Sequence, residues 1–142
     1  MAQQIKLSHV GKYVESKYNK LITAAVAETY KSLVQKSPVD TGRFRASWAV
    51  GQNSAQFQGE PAKKGFYQPP NPEQPRKIGY AKEKAGNTYV IYNNLPYAEK
   101  LANAPLGKGS SVQTNGPGWV EATAKRVQRM IPTLAARIER ES

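Results

Sequence analysis

The chain of 142 residues contains no cysteine, a single histidine (His9) and a single aspartate (Asp40). The missing cysteines exclude disulfides, thiolate zinc sites and a cysteine nucleophile. A Ser-His-Asp triad would have to draw on His9 and Asp40. His9 falls at a predicted helix entry and Asp40 beside a turn glycine, a placement that suggests no catalytic pair, and the chain reads as a non-enzyme. The carboxylates Glu60, Glu73, Glu83 and Glu99 lack the spacing of a metal loop, and no phosphate-cradling glycine motif precedes a helix. No cofactor or metal is expected. Long apolar runs are also missing: the longest, Leu21 to Ala27 with Thr23 inside it, is far below the roughly 20 residues of a membrane span. The N-terminal residues lack the apolar core of a signal peptide, so an intracellular product and no membrane partner are expected.

Positive charge is abundant instead. Lysine and arginine number 21 against 10 acids, a net +11. The balance is +4 over residues 1–37, +5 over 38–118 and +2 over 119–142, so the charge is spread and not gathered into a recognition arm. Spread charge supports non-specific contact with nucleic acid. It leaves open a small basic nucleic-acid-binding protein acting alone, as a rival to any structural role.

At this length one domain, residues 1–142, is expected. Apolar residues at Val10, Tyr13, Val14, Tyr18, Leu21, Ile22, Ala25, Val26, Tyr30, Leu33 and Val34 trace one helical stripe. Ser8 is placed to cap that helix, and Ser37-Pro38 ends it, because the residue before proline is driven out of the helical region. A second amphipathic helix follows Gly118, with Trp119, Val120, Thr123, Ala124, Val127, Ile131, Leu134, Ala135 and Ile138 at helical spacing; Pro132 inside it should kink or split it near Met130.

Between the helices, Arg43 to Val50 alternates as a strand or a short helical turn running into one, and Thr88 to Tyr92 is dense in β-branched and aromatic residues. The two are expected to share a sheet, with Ile78 to Lys82 as a hairpin partner of the second. Residues 58–77, with Pro61, Pro69, Pro70, Pro72 and Pro75, resist both helix and strand. They read either as an ordered partner-binding arm, with Phe66 and Tyr67 as its anchors, or as a floppy loop. Residues 105–118 form a second, glycine- and serine-rich loop, in which Leu106 and Val112 are interface candidates. The fold class expected is α+β: long N-terminal and C-terminal amphipathic helices on a small, mainly antiparallel sheet, with a proline-rich arm.

Two segments carry a resemblance. Ser37-Pro38-Val39-Asp40-Thr41-Gly42-Arg43-Phe44-Arg45-Ala46-Ser47-Trp48 is followed some forty residues later by Tyr92-Asn93-Asn94-Leu95-Pro96-Tyr97-Ala98-Glu99. Together they resemble the phage neck and tail-completion family, small proteins that join the DNA-filled head to the tail of long-tailed phages. The motif residues read as structural. Asp40 to Gly42 turn the chain, with Asp40 accepting bonds from the amides that follow; Trp48 fills the core; Asn93, Asn94 and Pro96 end a strand and present Tyr97. Arg43 and Arg45 read as surface charge, an inter-subunit ion pair or a DNA contact. The resemblance departs after Leu101, where Ala102-Asn103-Ala104-Pro105 leads into the glycine-serine loop, and residues 58–77 look like an extension. It implies a virion structural protein made in the host cytoplasm, assembled as a homo-oligomeric ring at the neck or top of the tail. Its neighbours would be head-connector and tail-tube or tail-terminator proteins, with genomic DNA in the channel.

Overall fold

The computed structural model describes residues 12–103 and 115–141. Ser8, His9, Leu106 and Val112 lie outside the described residues. Helix α1, Lys12–Lys36, follows from the apolar stripe. Val26, Tyr30, Leu33 and Val34 on that stripe are buried, and Ile22 packs half-buried beside them. The helix stops where expected, before Ser37-Pro38. Ser37 then turns back, its hydroxyl donating to the Leu33 carbonyl at 2.6 Å.

The chain next makes a short 3₁₀ turn, Arg45–Ser47, and enters strand β1, Ala49–Gln52. Strand β2 is Lys77–Ile78, strand β3 is Tyr89–Tyr92, and the sheet order is β2-β1-β3. The expected pairing of the first and third strands is present: β1 and β3 run antiparallel, with Val50 opposite Ile91 and Gly51 opposite Val90. The expected hairpin between residues 78–82 and β3 is not. β2 pairs in parallel with β1, Val50 opposite Lys77 and Gly51 opposite Ile78, which makes the sheet mixed.

The reason lies in side chains that tie β2 elsewhere. Arg76 reaches the Ala46 carbonyl through Nη2 at 3.1 Å, while its own carbonyl accepts from the Val50 amide at 2.8 Å. Beyond β2, Tyr80 donates its hydroxyl to the Glu83 carboxylate and Lys77 pairs with the same group at 3.0 Å. That fastens residues 77–83 into a turn. The Ala85 amide donates to Asn19 Oδ1 at 2.6 Å and so docks the following stretch on α1.

Two helices close the fold. The short α2, Ala98–Asn103, was not expected from the sequence. Helix α3, Trp119–Arg140, starts at Gly118, whose positive φ of 77° suits glycine. The Gly118 amide donates to the Ala102 carbonyl at 3.1 Å, joining the two helices. α3 is continuous through Pro132, so the split expected near Met130 does not occur. Pro132 lies on the exposed side, while Val127, Leu134 and Ile138 are buried on both sides of it, and that packing offsets the one backbone bond the proline removes.

α1 and α3 pack antiparallel. Lys17 meets Glu139 at 2.7 Å at one end, and Arg126 donates to the Ser32 hydroxyl toward the other. At the centre, Phe44, Trp48 and Trp119 meet edge to face, with ring centroids 5.5 to 6.4 Å apart. This α+β arrangement is the class the sequence implies. Among the described residues, no helix is long and apolar enough to cross a membrane.

Candidate assembly surface

The residues singled out by sequence fall into two groups, those that turn inward and those that remain on display. The first motif turns inward. Pro38 is buried. Gly42 has φ +89°, and a Cβ there would stand 2.8 Å from the Tyr67 carbonyl oxygen, so the position demands glycine twice over. The turn's side-chain bond comes from Thr41, whose Oγ1 accepts from the Arg43 amide at 3.4 Å. Asp40, expected in that role, is exposed beside it.

Ser47 is fully buried. Its hydroxyl donates to the Arg43 carbonyl at 2.7 Å and accepts from the Glu60 amide at 3.0 Å. Trp48 fills the core as expected, and its indole Nε1 donates to Ser37 Oγ at 2.7 Å. Ser37 therefore links the end of α1 to the tryptophan that precedes β1.

The second motif closes onto the first. Asn93 donates to the Phe44 carbonyl at 2.9 Å while its Oδ1 accepts from the Leu95 amide at 3.3 Å. Asn94 donates to the carbonyls of Ala55 at 2.8 Å and Phe57 at 3.0 Å. Pro96 is exposed. Tyr97 lies half-buried against Arg43 and Asp40; burial raises its hydroxyl pKa, and the Arg43 guanidinium opposes that shift. The two segments that are widely separated in sequence are thus one bonded unit.

Residues 58–76 contain neither helix nor strand, yet they are fastened to the same unit. Arg43 Nε donates to the Glu60 carbonyl at 2.9 Å, and a Cβ on Gly59 would come within 2.6 Å of Leu95 Cδ2. The Tyr67 amide donates to the Thr41 carbonyl at 2.8 Å and the Tyr67 hydroxyl to the Pro61 carbonyl at 2.6 Å. Tyr67 is buried within its own chain and so is not an exposed anchor for a partner. Phe66, by contrast, stands 53% exposed, with the Arg45 guanidinium 5.6 Å from its ring centroid. Lys63 lies over the Tyr67 ring at 4.6 Å. Arg45 thus stacks on an aromatic of its own chain.

Among the described residues no group of His, Asp and Glu is placed to hold a metal ion. The most deeply buried carboxylate, Glu83, is committed to Lys77 and Tyr80. Burial, reinforced by the Glu83 carboxylate it bonds, raises the Tyr80 pKa and keeps the hydroxyl a neutral donor. Nothing in the sequence marks this cluster beyond the spacing of its three residues, since nothing local distinguishes a buried glutamate from a loop one.

The comparisons with known proteins agree with the motifs. The family model described as "Bacteriophage HK97-gp10, putative tail-component" matches residues 4–101, a stretch that contains both motif segments and the whole sheet. No curated protein and no solved structure matches the chain. With more than half its length matched, and with the two motifs bonded into one scaffold, the chain belongs to the HK97-gp10-like family of bacteriophage tail components.

Proposed function

We propose that the protein is a structural component of the neck of a long-tailed phage, forming a homo-oligomeric ring that completes the tail and joins it to the head. The observation that carries this reading is that the matched region is scaffold. Its polar motif residues satisfy one another's backbone groups, leaving an exposed phenylalanine, loops and sheet edges for neighbours. Such a molecule acts by fitting between other chains, here its own copies and the head-connector and tail-tube or tail-terminator proteins. On this reading it needs no catalytic group.

Contact with genomic DNA in the channel belongs to the same proposal. On α3 the exposed Lys125, Arg129, Arg137 and Arg140 fall within an arc of about 120° at 100° per residue. By the same helical geometry, Glu121, Glu139 and Glu141 fall outside that arc. Around a ring, a stripe of this kind would meet the phosphate backbone without reading sequence. It also favours the alternative of a free nucleic-acid-binding protein, which predicts salt-sensitive DNA binding by isolated monomers.

Electron microscopy of lysates from the parent phage carrying a nonsense mutation in this gene tests the proposal. Filled heads accumulating beside separate or overlong tails is the expected result. Intact virions in normal yield would refute the joining role.

A further inference from the structure

Only two large apolar side chains among the described residues are left substantially exposed, Phe66 at 53% and Val39 at 36%. They are far apart in sequence, but the Tyr67 amide bonded to the Thr41 carbonyl brings their segments together. The result is an apolar knob. Arg45 sits over the Phe66 ring and Lys63 and Lys64 are exposed nearby, as is Asp40, while Glu60 is paired with Arg76. An exposed aromatic rimmed by cations has the make-up of the few residues that carry most of the energy of a protein interface.

Elsewhere the chain carries the complementary feature. An open groove of about 250 Å³ runs between β3, α2 and the first turn of α3, with Phe44, Trp48, Ile91, Ala98, Ala102 and Val120 among its walls. An apolar cavity of about 150 Å³ is enough to admit benzene, so the groove has room for one phenyl ring. Its one charged lining residue is an acid, Glu99; Glu121 is exposed one residue beyond Val120 but does not line it. Lys100, the neighbouring cation on α2, does not line it. No residue of the knob takes part in the groove, so the two are separate patches of one surface.

Resting on the ring reading above, we propose that Phe66 of one copy seats in the groove of the next copy, with Arg45, Lys63 and Lys64 facing Glu99 and Glu121. A second copy is favoured as the occupant because the groove has room for the ring, has apolar walls, and carries Glu99 as its one charged lining residue where the knob carries Arg45, Lys63 and Lys64. A contact between unlike patches is heterologous. It therefore propagates from copy to copy and closes into a ring when the rotation allows. It also gives a net-positive chain a locally attractive way to meet itself, against the general repulsion of its +11 charge.

The absence of cysteine makes a thiol test clean. Full-length Gln68→Cys and Ala102→Cys chains, the first keeping Phe66 beside an exposed position, are tagged to differ in mass, mixed and mildly oxidised, both as purified protein and in particles assembled with the same variants. Circular dichroism confirms that each is folded. The expected result is a disulfide-linked heterodimer in the mixture that neither variant yields alone. Adding Phe66→Ala to the Gln68→Cys chain should abolish it, as should adding Glu99→Lys and Glu121→Lys to the Ala102→Cys chain, and in the latter case adding Lys63→Glu and Lys64→Glu to the Gln68→Cys chain should restore it.

Rings without this cross-link would overturn the contact and leave the ring reading standing. A 68–102 disulfide within single chains of the Gln68→Cys, Ala102→Cys double variant, showing the groove filled by its own copy, would do the same, as would cross-linking of Ala102→Cys only to another virion protein. Particles containing one copy of the chain would overturn both.

Discussion

The bond from Trp48 to Ser37 lets the structural role of the first motif be measured directly. The indole Nε1 donates to Ser37 Oγ at 2.7 Å, and the same hydroxyl donates to the Leu33 carbonyl at 2.6 Å, with both side chains buried. Ser37→Ala removes both bonds and strands an indole N–H away from water, which costs about 1 to 3 kcal/mol. Trp48→Phe removes that donor together with part of the ring packed on Phe44 and Trp119, with a cost of about 1 to 2 kcal/mol from lost burial and the space left behind, below that of a full truncation to alanine. In the double variant the stranded donor no longer exists, so the Ser37 substitution should then cost less. The non-additivity should be about 1 kcal/mol, in the range seen for side chains that share a bond. Urea unfolding followed by tryptophan fluorescence gives all four stabilities, with Trp119 as the remaining reporter in the Trp48 variants. Additive effects, with no coupling outside error, would refute the argument that Ser37 serves as the acceptor for Trp48 and would reduce Ser37-Pro38 to a helix stop.

Gly51→Ala should be among the most damaging small substitutions, because its Cβ would lie 1.9 Å from the Ser54 carbonyl oxygen in the central strand. A loss of about 3 kcal/mol or failure to fold is expected, and an unchanged urea midpoint would show the 51–54 turn to be built otherwise. For Tyr80 the folded-state pKa is raised by burial and by its bond to Glu83, so the unfolded chain gives up this proton first, near pH 10, and stability falls as pH climbs beyond that point; Tyr80→Phe should flatten the fall, and an unaltered slope in thermal melts across that range would count against the buried donor.

The helices were legible because their signal is long. α1 and α3 each repeat the apolar spacing over several turns, and tertiary packing then reinforces what periodicity implies. β3 was legible from β-branched and aromatic density alone. The stretch from Arg43 to Trp48 was only half legible, and Ser47 shows why: the alternation assigns it to the solvent side, yet it is fully buried because the Glu60 amide, 13 residues on, supplies its partner. β2 has two residues and is placed by Arg76, a distant bond no window can contain. α2, with six residues, is too short to show a period. Tyr67 reads from sequence as a partner anchor if the segment is an ordered arm, because an aromatic in a proline-rich stretch carries no mark of which protein will cover it.

The segment that sequence left between arm and loop is held at three separate places, and this bears on how it can work. Ser47 and Leu95 fix it at Gly59 and Glu60, Thr41 fixes it at Tyr67, and the Ala46 carbonyl fixes it at Arg76. Phe66 stands immediately before one of these points, so its backbone is ordered before any neighbour arrives. Docking a preordered aromatic avoids the loop-ordering cost that a free segment would pay on binding. It also separates two properties that would otherwise be confounded. Removing residues 58–76 would strip the Glu60 amide from buried Ser47 and the Arg76 bonds from β1, so the fold would fail along with any contact. Truncating Phe66 alone touches none of those bonds and changes only what the scaffold displays, so on the docking proposed above it is the side chain, and not the segment, whose loss should abolish assembly while the fold is kept.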